Sequence, residues 1–265
     1  MKVHTIDIVR LSELISKESN SNYTQLTRSG FFYFTKAAGN ITIDFTVYKI
    51  DKGSLLTFDR NQLLTNVMDE SCEGFVLFFD DNSIDELTFK TFKKNKNSLL
   101  KEKQTSEENI YGFLLNLYKE IKNHKANWNI EIVKQQLQIL LLKCDRLIKN
   151  KRSFTENYFK AFIHFDHLLT YKHKKSRNAL DYSEELNISY KHLNEICKKV
   201  IGVTAKDYIN DYLVLAIKKE LVTSATPIKQ LTTEFGFDEP TNFVKYFKRY
   251  TEKTPREFRI LSKNL

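Results

Sequence analysis

Two groups of polar and basic side chains lie about 50 residues apart in the C-terminal half of the sequence. Asn can bond adenine N6 and N7, Lys can donate to guanine O6 and N7, and Glu can accept from cytosine N4. Lys and Arg can also donate to phosphates, which orient a protein without reading sequence. These residue types therefore suit contact with duplex nucleic acid. The two groups are Lys191, His192, Asn194, Glu195, Lys198 and Lys199, and then Thr241, Asn242, Lys245, Lys248 and Arg249.

The first group lies on a segment whose pattern predicts two helices joined by a tight turn. In residues 181–202 a short helix is followed by a turn at 186–189, where Ser189 can cap a longer helix. The apolar stripe of that longer helix is formed by Leu193, Ile196 and Val200. One face can then be buried while the polar group faces outward, as in a helix-turn-helix that places its second helix in a major groove.

The same plan recurs in residues 227–250. Pro227 opens a short helix, Gly236 ends it, and a second helix follows from about Glu239. The packing side of this second helix is predicted to contain Phe243, Tyr246, Phe247 and Tyr250.

A long amphipathic helix over residues 204–225 is predicted to join the two units. Its expected apolar side consists of Tyr208, Tyr212, Leu215 and Leu221. A rigid connector would hold the two outward-facing helices so that they can enter successive major grooves, about 34 Å apart.

Residues 155–260 resemble the C-terminal DNA-binding domain of the AraC/XylS family of bacterial transcription regulators. The matching stretches are "LNISYKHLNEICKKVIGVTAKDYI" in the first unit and "GFDEPTNFVKYFKRYTEKTPREFR" in the second. The resemblance implies double-stranded DNA as the partner, with Lys199, Lys248 and Arg249 against phosphates. His192 can contact DNA, cap a helix or pack within its unit. The positions that face bases or phosphates in the family are occupied by Lys191, Asn194, Glu195, Lys198, Pro240, Thr241, Asn242 and Lys245.

Four positions depart from the pattern of the family. Val214 replaces an Arg on the connecting helix, and Lys218 and Thr232 replace small Ala residues. Glu252 replaces a Gly. None of these changes removes the two helices that would read DNA.

The N-terminal half has the two-residue period of antiparallel strands. In "ITIDFTVYKI" we expect one strand with Ile41, Ile43, Phe45 and Val47 on one face. Further strands are predicted at 31–35, 54–59 and 74–80, with turns at Gly39-Asn40, 51–53 and Glu73-Gly74. Several short strands at this spacing indicate a small barrel or a sandwich.

Two amphipathic helices are predicted after the strands, over 108–124 and 129–148. Their apolar stripes either cover the strands or form a dimer seam. The expected stripes are Tyr111, Leu114, Leu115 and Tyr118, and then Ile130, Val133, Leu137, Leu140, Leu141 and Ile148. The polar stretch 149–153 is the best linker, so the expected fold is α+β: a β-rich domain with flanking helices over 1–150 and an all-α domain over 151–265.

The resemblance implies that residues 1–150 form a cupin-like domain that senses a small ligand and dimerises, and that the protein activates transcription with RNA polymerase as a partner. At 58–65, where many relatives carry a Pro-Gly-Gln-x-His turn, Gln62 is retained and the His is absent. An apolar interior would suit an apolar or mixed effector. The same rings can instead fill a dry core, which would leave a dimerisation module without a ligand. The rings in question are Phe32, Phe34, Phe45, Phe58, Phe78 and Phe79.

Charge is concentrated in the second half of the chain. The net charge is +9, and residues 151–265 hold 21 basic against 14 acidic residues, whereas residues 1–150 hold 21 against 19. A basic surface favours a polyanion, so a nonspecific, nucleoid-type DNA-binding protein is the alternative reading.

The remaining composition argues against other classes of protein. Three scattered Cys indicate neither a disulfide framework nor a zinc cluster, and the longest aliphatic run, 139–142, is too short to span a bilayer. We therefore expect a cytoplasmic protein. No motif of an enzyme or cofactor site is present, and the nearby His164, His167 and His173 lack the further ligands that a metal site needs.

Overall fold

The computed structural model describes residues 6–15, 23–65, 72–80, 83–85, 92, 98–102, 108–123, 130–147 and 154–263. The chain divides into two compact units, Met1–Asn150 and Lys151–Leu265.

The described strands of the N-terminal unit form two antiparallel sheets. The five-stranded sheet has the order β1-β8-β3-β6-β9, and the four-stranded sheet has the order β2-β7-β4-β5. The strands are β1 (Ile6–Arg10), β2 (Tyr23–Gln25), β3 (Ser29–Lys36), β4 (Ala38–Ile43), β5 (Thr46–Asp51), β6 (Ser54–Phe58), β7 (Leu63–Thr65), β8 (Glu73–Phe79) and β9 (Leu99–Lys101). The helices with described bounds in this unit are α1 (Leu11–Ile15), α2 (Ile110–Asn123) and α3 (Ile130–Arg146).

The strands predicted at 31–35, 54–59 and 74–80 are confirmed as β3, β6 and β8. Gly74 lies inside β8 rather than in a turn, and Gly39 lies inside β4. A Cβ on Gly74 would stand 2.0 Å from the Tyr33 carbonyl oxygen on the neighbouring strand. This glycine therefore permits close strand pairing. The turn that the sequence predicted at this position is wrong.

The single strand expected over 41–50 is wrong, because the segment is a hairpin. Asp44 and Phe45 have φ angles of 49° and 66°, and Ile43 pairs with Thr46 across the turn. The chain reverses there, so Ile41 and Ile43 are buried while Val47 is 61% exposed. Two consecutive residues with positive φ are typical of a two-residue hairpin turn, which usually carries Asn or Gly. Asp44 and Phe45 are neither, so the sequence did not predict the turn.

Two apolar cores stabilise this unit. One is formed by residues of both sheets and contains Phe32, Phe34, Ile41, Ile43, Leu56 and Phe58. The other joins the five-stranded sheet to α2 and α3 and contains Phe31, Leu77, Phe79, Leu114, Val133 and Leu137. Both helices therefore cover the sheet, as one of the two alternatives held.

The buried face of α2 is broader than the predicted stripe. Tyr111 is 44% exposed, whereas Ile110 and Leu117 are buried. Leu114 is buried as expected, and Leu115 and Tyr118 pack partly against the core. The period was right, and Tyr111 lies at the edge of this face, with its ring 6.4 Å from that of Tyr33 and 6.3 Å from that of Phe75 on the sheet. On α3 the predicted stripe is buried or partly buried, and Ile148 lies outside the described residues.

The described part of the C-terminal unit is helical. Its helices are α4 (Glu156–Lys172), α5 (Ala179–Glu185), α6 (Tyr190–Val200), α7 (Ala205–Thr223), α8 (Ile228–Glu234), α9 (Pro240–Thr251) and α10 (Pro255–Lys263). One core is built from α4 to α6 and the start of α7, and a second from the rest of α7 with α8 and α9.

The connecting helix α7 packs on both cores. Of its predicted apolar side, Tyr208 and Tyr212 pack against the first core and Leu221 is buried in the second. Ile209 belongs to the first core, whereas Leu213, Ile217 and Leu221 belong to the second. Leu215, expected on the buried side, is only partly buried. Because two separate clusters contact α7, its buried residues do not follow a single amphipathic stripe.

Candidate nucleic-acid interface

The first helix-turn-helix is built by α5 and α6. Asn187 adopts a left-handed conformation in the turn, with a φ of 54°. The Asn187 N–H donates to the Glu184 carbonyl oxygen and the Ile188 N–H to the Ser183 carbonyl oxygen, both at 3.0 Å. The Ser189 hydroxyl then accepts from the His192 N–H at 3.1 Å, which confirms the predicted cap of α6.

The turn between α8 and α9 repeats this hydrogen-bond pattern. Gly236 has a φ of 67°, its N–H donates to the Thr233 carbonyl oxygen, and the Phe237 N–H donates to that of Thr232, both at 3.0 Å. A Cβ on Gly236 would stand 2.5 Å from the Lys174 carbonyl oxygen, so this position needs glycine. The two turns are therefore structural equivalents, and the second is one residue longer before its helix begins.

Both outward-facing helices bury one side completely. On α6 this side contains Leu193, Ile196 and Cys197, and on α9 it contains Phe243 and Phe247. Aligning Leu193 with Phe243 pairs Glu195 with Lys245, Lys198 with Lys248, and Lys199 with Arg249.

Two tyrosines predicted to pack on α9 have different surroundings. The Tyr246 hydroxyl donates to Asn210 Oδ1 on α7 at 2.9 Å, and burial raises its pKa. Tyr250 is 38% exposed. Its ring packs beside that of Tyr246, with 5.0 Å between the centroids. Tyr250 is therefore not a core residue, because it lies at the edge of the buried stripe near the end of the helix.

Most of the expected DNA-contacting residues are exposed on α6 and α9. These are Lys191, His192, Glu195, Lys198 and Lys199, and Pro240, Thr241, Asn242, Lys245, Lys248 and Arg249. Each helix thus presents a mainly basic surface opposite its buried side. The basic residues near the end of each helix also suit the negative end of the helix dipole.

Asn194 has a role within its own domain. It is partly buried, and its Oδ1 accepts from the Ala205 N–H at 3.0 Å. This bond satisfies the first turn of α7, where Thr204 Oγ1 accepts from the Asp207 N–H. Asn194 thus caps the connecting helix, a role that the sequence did not predict, while its base contact stays a prediction because an amide oxygen can accept a second hydrogen bond.

Glu195 is held by a residue that the sequence did not single out. The Tyr158 hydroxyl, on α4, donates to Glu195 Oε1 at 2.8 Å. Glu195 Oε2 lies 3.7 Å from His192 Nδ1. The bond from Tyr158 is the largest cause of a lowered pKa at Glu195, so the carboxylate is held ionised. A contact across 37 residues leaves no local signal in the sequence.

The loop between α4 and α5 also contacts the second helix-turn-helix. The Arg177 guanidinium stacks over the Phe237 ring at 3.9 Å, and its Nη2 donates to the Gly236 carbonyl oxygen at 3.2 Å. An open groove of about 660 Å³ beside this loop is lined by Lys175, Ser176, Arg177, Asn178, Ala179, Leu180, Tyr190 and Lys206. Its three basic residues add positive charge next to the start of α6.

The four departures from the family pattern are accommodated without disturbing α6 or α9. Val214 and Thr232 are buried, and the Thr232 hydroxyl donates to the Ile228 carbonyl oxygen at 3.0 Å. Lys218 is partly buried, which lowers its pKa. Glu252 ends α9 in a left-handed conformation, with a φ of 62°.

The phenylalanines expected to line a ligand site divide between different environments. Phe32, Phe34 and Phe58 are fully buried in the core shared by the two sheets, with 4.8 Å between the Phe32 and Phe58 rings. Phe45 and Phe78 are partly buried. Phe79 belongs to the core beneath α2 and α3, because adjacent residues of a strand face opposite sides. Its assignment to the same interior as Phe78 is therefore wrong.

Gln62 has a structural role beside this core. Its Nε2 donates to Asp44 Oδ2 at 2.9 Å and its Oε1 accepts from the Asp59 N–H at 2.6 Å. The retained Gln therefore ties the β4–β5 turn to the loop before β7.

The described residues offer no group of three or more His, Cys, Asp or Glu that could hold a metal ion. His164 and His167 are exposed, whereas the His173 ring packs 5.1 Å from that of Tyr212. All three cysteines are buried free thiols, and burial raises the pKa of Cys197 to about 12. Across the described parts of the chain, no helix has the length and apolar character needed to cross a membrane.

A family model described as a helix-turn-helix domain matches residues 182–260. The lactose operon transcription activator of Staphylococcus xylosus is 19% identical over 240 residues, which cover 90% of this chain and 86% of that protein. The multiple antibiotic resistance protein MarA of Salmonella typhimurium is 31% identical over 78 residues, which cover 29% of this chain and 61% of MarA. The match thus spans less than two thirds of MarA.

Among solved structures, ToxT from Vibrio cholerae O395 is similar over 98% of each chain, with 16% identity and a TM-score of 0.48.

Proposed function

We propose that this chain, whose residues 182–260 form a helix-turn-helix domain of the AraC/XylS type, is a sequence-specific DNA-binding regulator of transcription. The observation that carries the proposal is the repetition of one unit: two equivalent turns, each followed by a helix with a buried apolar side and an exposed basic side. We call α6 and α9 the first and second recognition helices.

The regulator is proposed to be an activator. The lactose operon protein is named a transcription activator, and it is similar to this chain over both units. Activation implies contact with RNA polymerase, and action on chromosomal DNA implies the cytoplasm. We assign no catalytic role or cofactor to the chain.

We assign Lys198, Lys199, Lys248 and Arg249 to phosphates, since they lie toward the ends of the recognition helices. Lys191, Glu195, Thr241, Asn242 and Lys245 lie nearer the starts of these helices, the part that contacts base edges in helix-turn-helix proteins. His192 and Pro240 flank these positions. Asn194 is assigned first to capping α7, through its bond from the Ala205 N–H, and its base contact stays a prediction.

The N-terminal unit, residues 1–150, is proposed to supply dimerisation and effector sensing to the DNA-binding unit, residues 151–265. A small apolar effector would have to enter beside the partly buried Phe45 and Phe78, since Phe32, Phe34 and Phe58 are fully buried against one another. The alternative is a dimerisation module without a ligand, which predicts unchanged melting and DNA affinity across a small-molecule screen.

The experiment that tests the proposal is selection of bound duplexes from a random pool by the full chain. We expect one recovered motif, bound at least about 10³-fold more tightly than random duplex. Two recognition elements one helical turn apart would reflect the two recognition helices. A nonspecific, nucleoid-type binder would instead recover no motif at any salt concentration, and this outcome would refute sequence-specific regulation.

A further inference from the structure

Tyr158 on α4 contacts the exposed side of the first recognition helix. The Tyr158 N–H donates to Thr155 Oγ1 at 3.3 Å, a cap that fixes the first turn of α4. The Tyr158 hydroxyl reaches from this turn to Glu195 Oε1 at 2.8 Å. The position of one carboxylate oxygen on α6 is therefore set by a different helix.

This bond has little to contribute to folding. The Glu195 side chain is 52% exposed, and hydrogen bonds and ion pairs at exposed positions stabilise a fold only slightly. The Tyr158 ring is partly buried and packs against the first core, so its apolar part can be retained without the hydroxyl. The stability of the fold therefore does not explain why a hydroxyl is present at this position.

Glu195 is the unusual member of the exposed surface to which it belongs. Its equivalent on the second recognition helix is Lys245, and its neighbours Lys191, Lys198 and Lys199 are basic. A carboxylate that approaches a phosphate-lined groove is repelled unless it meets a hydrogen-bond donor. Among the bases, cytosine presents its N4 amino group as a donor in the major groove, and Glu is a known type of acceptor for it.

We propose that Tyr158 is a specificity-positioning residue, which holds Glu195 so that its second oxygen accepts from a cytosine N4 amino group. This inference rests on the proposed function. Tyr158 donates to Oε1, and His192 Nδ1 lies 3.7 Å from Oε2, an ion pair when the imidazole is protonated, so Oε2 has further lone pairs. Oε2 thus keeps its capacity to accept from DNA. Because the side chain is ordered before DNA arrives, binding costs less entropy for the correct base.

The test compares full-length variants in selection from a random duplex pool, followed by titration of single base-pair changes in the recovered site. Glu195→Ala should lose a cytosine preference at one position. Tyr158→Phe should weaken the preference at that same position by about three- to tenfold and leave the other positions unchanged. Combined in one chain, the two changes should have no more effect than Glu195→Ala alone.

The matched control is Tyr208→Phe. The Tyr208 hydroxyl also donates to a carboxylate of another helix, Asp166 Oδ1 at 2.6 Å, but neither residue belongs to the exposed side of α6. Removal of the Tyr208 hydroxyl should leave the recovered motif unchanged. Circular dichroism should show that all variants are folded.

Three outcomes separate the possibilities. An unchanged motif with Tyr158→Phe would overturn the positioning role of Tyr158. A cytosine preference that survives Glu195→Ala would overturn the role of Glu195 and the inference with it. If the parent chain recovers no motif, the proposed function itself fails, which is distinct from either result.

Discussion

At the scale of single residues, Glu252 carries a backbone conformation that its side chain disfavours. It ends α9 with a φ of 62°, and its N–H donates to the Lys248 carbonyl oxygen at 2.8 Å. A left-handed conformation costs a residue with a Cβ about 1–2 kcal/mol, and glycine is the usual residue at such helix ends. The carboxylate also faces the negative end of the helix dipole.

We therefore expect Glu252→Gly to raise the free energy of unfolding of the C-terminal unit by about 0.5–1 kcal/mol, after allowing for the larger entropy of glycine in the unfolded chain. The measurement is the denaturation midpoint of the full chain. Glu252→Ala is the control, since it removes the charge but keeps the Cβ. Equal midpoints for the two variants would show that backbone strain does not contribute.

At the scale of elements, α3 leaves apolar residues exposed beside its buried stripe. Ile132, Ile139 and Leu142 are each 44% to 46% exposed and lie on one side of the helix. On α2 the corresponding exposed apolar residue is Tyr111. If the chain dimerises, α3 is therefore the better candidate for the seam.

Ile139→Lys should convert the dimer to a monomer, because a charge in the middle of an apolar seam would be buried without a partner. Light scattering coupled to gel filtration measures the mass. Tyr111→Lys is the matched change on α2 and should leave the mass unchanged. A parent chain that is already monomeric, or a dimer that tolerates Ile139→Lys, would remove α3 from this role.

At the scale of the whole molecule, the two helix-turn-helix units are held together by more than the connecting helix. Arg177 stacks on Phe237, and Gly236 lies against the Lys174 carbonyl oxygen. His173 joins the same junction, with its ring 5.1 Å from Tyr212 and 6.4 Å from Phe235. Burial is the main cause of a lowered pKa at His173; hydrogen bonds with the Leu169 and Thr170 carbonyl oxygens oppose it, and Lys174 adds a smaller lowering effect.

The lowered pKa makes this junction sensitive to acid. The unfolded chain binds a proton at His173 near the ordinary value of 6.5, whereas the folded chain binds it only at lower pH. Stability from this residue is therefore complete above pH 6.5 and is lost as the pH falls below it. Between pH 7.5 and 5.5 we expect the melting temperature of the parent to fall by about 2–4 °C more than that of His173→Gln. The difference is modest because the ring is partly exposed.

Circular dichroism of the full chain at both pH values measures this difference. His167→Gln is the control, since His167 is exposed on α4, the helix that His173 caps. A pH dependence that is equal in the parent and in His173→Gln would assign the acid sensitivity to other groups.

Local patterns in the sequence determined the elements that carry the proposed DNA site. Ser189 as a cap, Gly236 as a left-handed turn residue, and the apolar spacing of Leu193 and Phe243 act over a few residues, so the two recognition helices and their exposed basic residues could be predicted. The strands β3, β6 and β8 were predictable for the same reason.

Tertiary structure decided what depends on residues distant in the chain. The broad buried face of α2 and the divided burial of α7 follow from the cores that they contact. The capping role of Asn194 depends on Ala205, and the orientation of Glu195 depends on Tyr158. These contacts leave no periodic trace in the sequence, because the energy of a side-chain hydrogen bond depends on a partner that only the folded chain brings within reach.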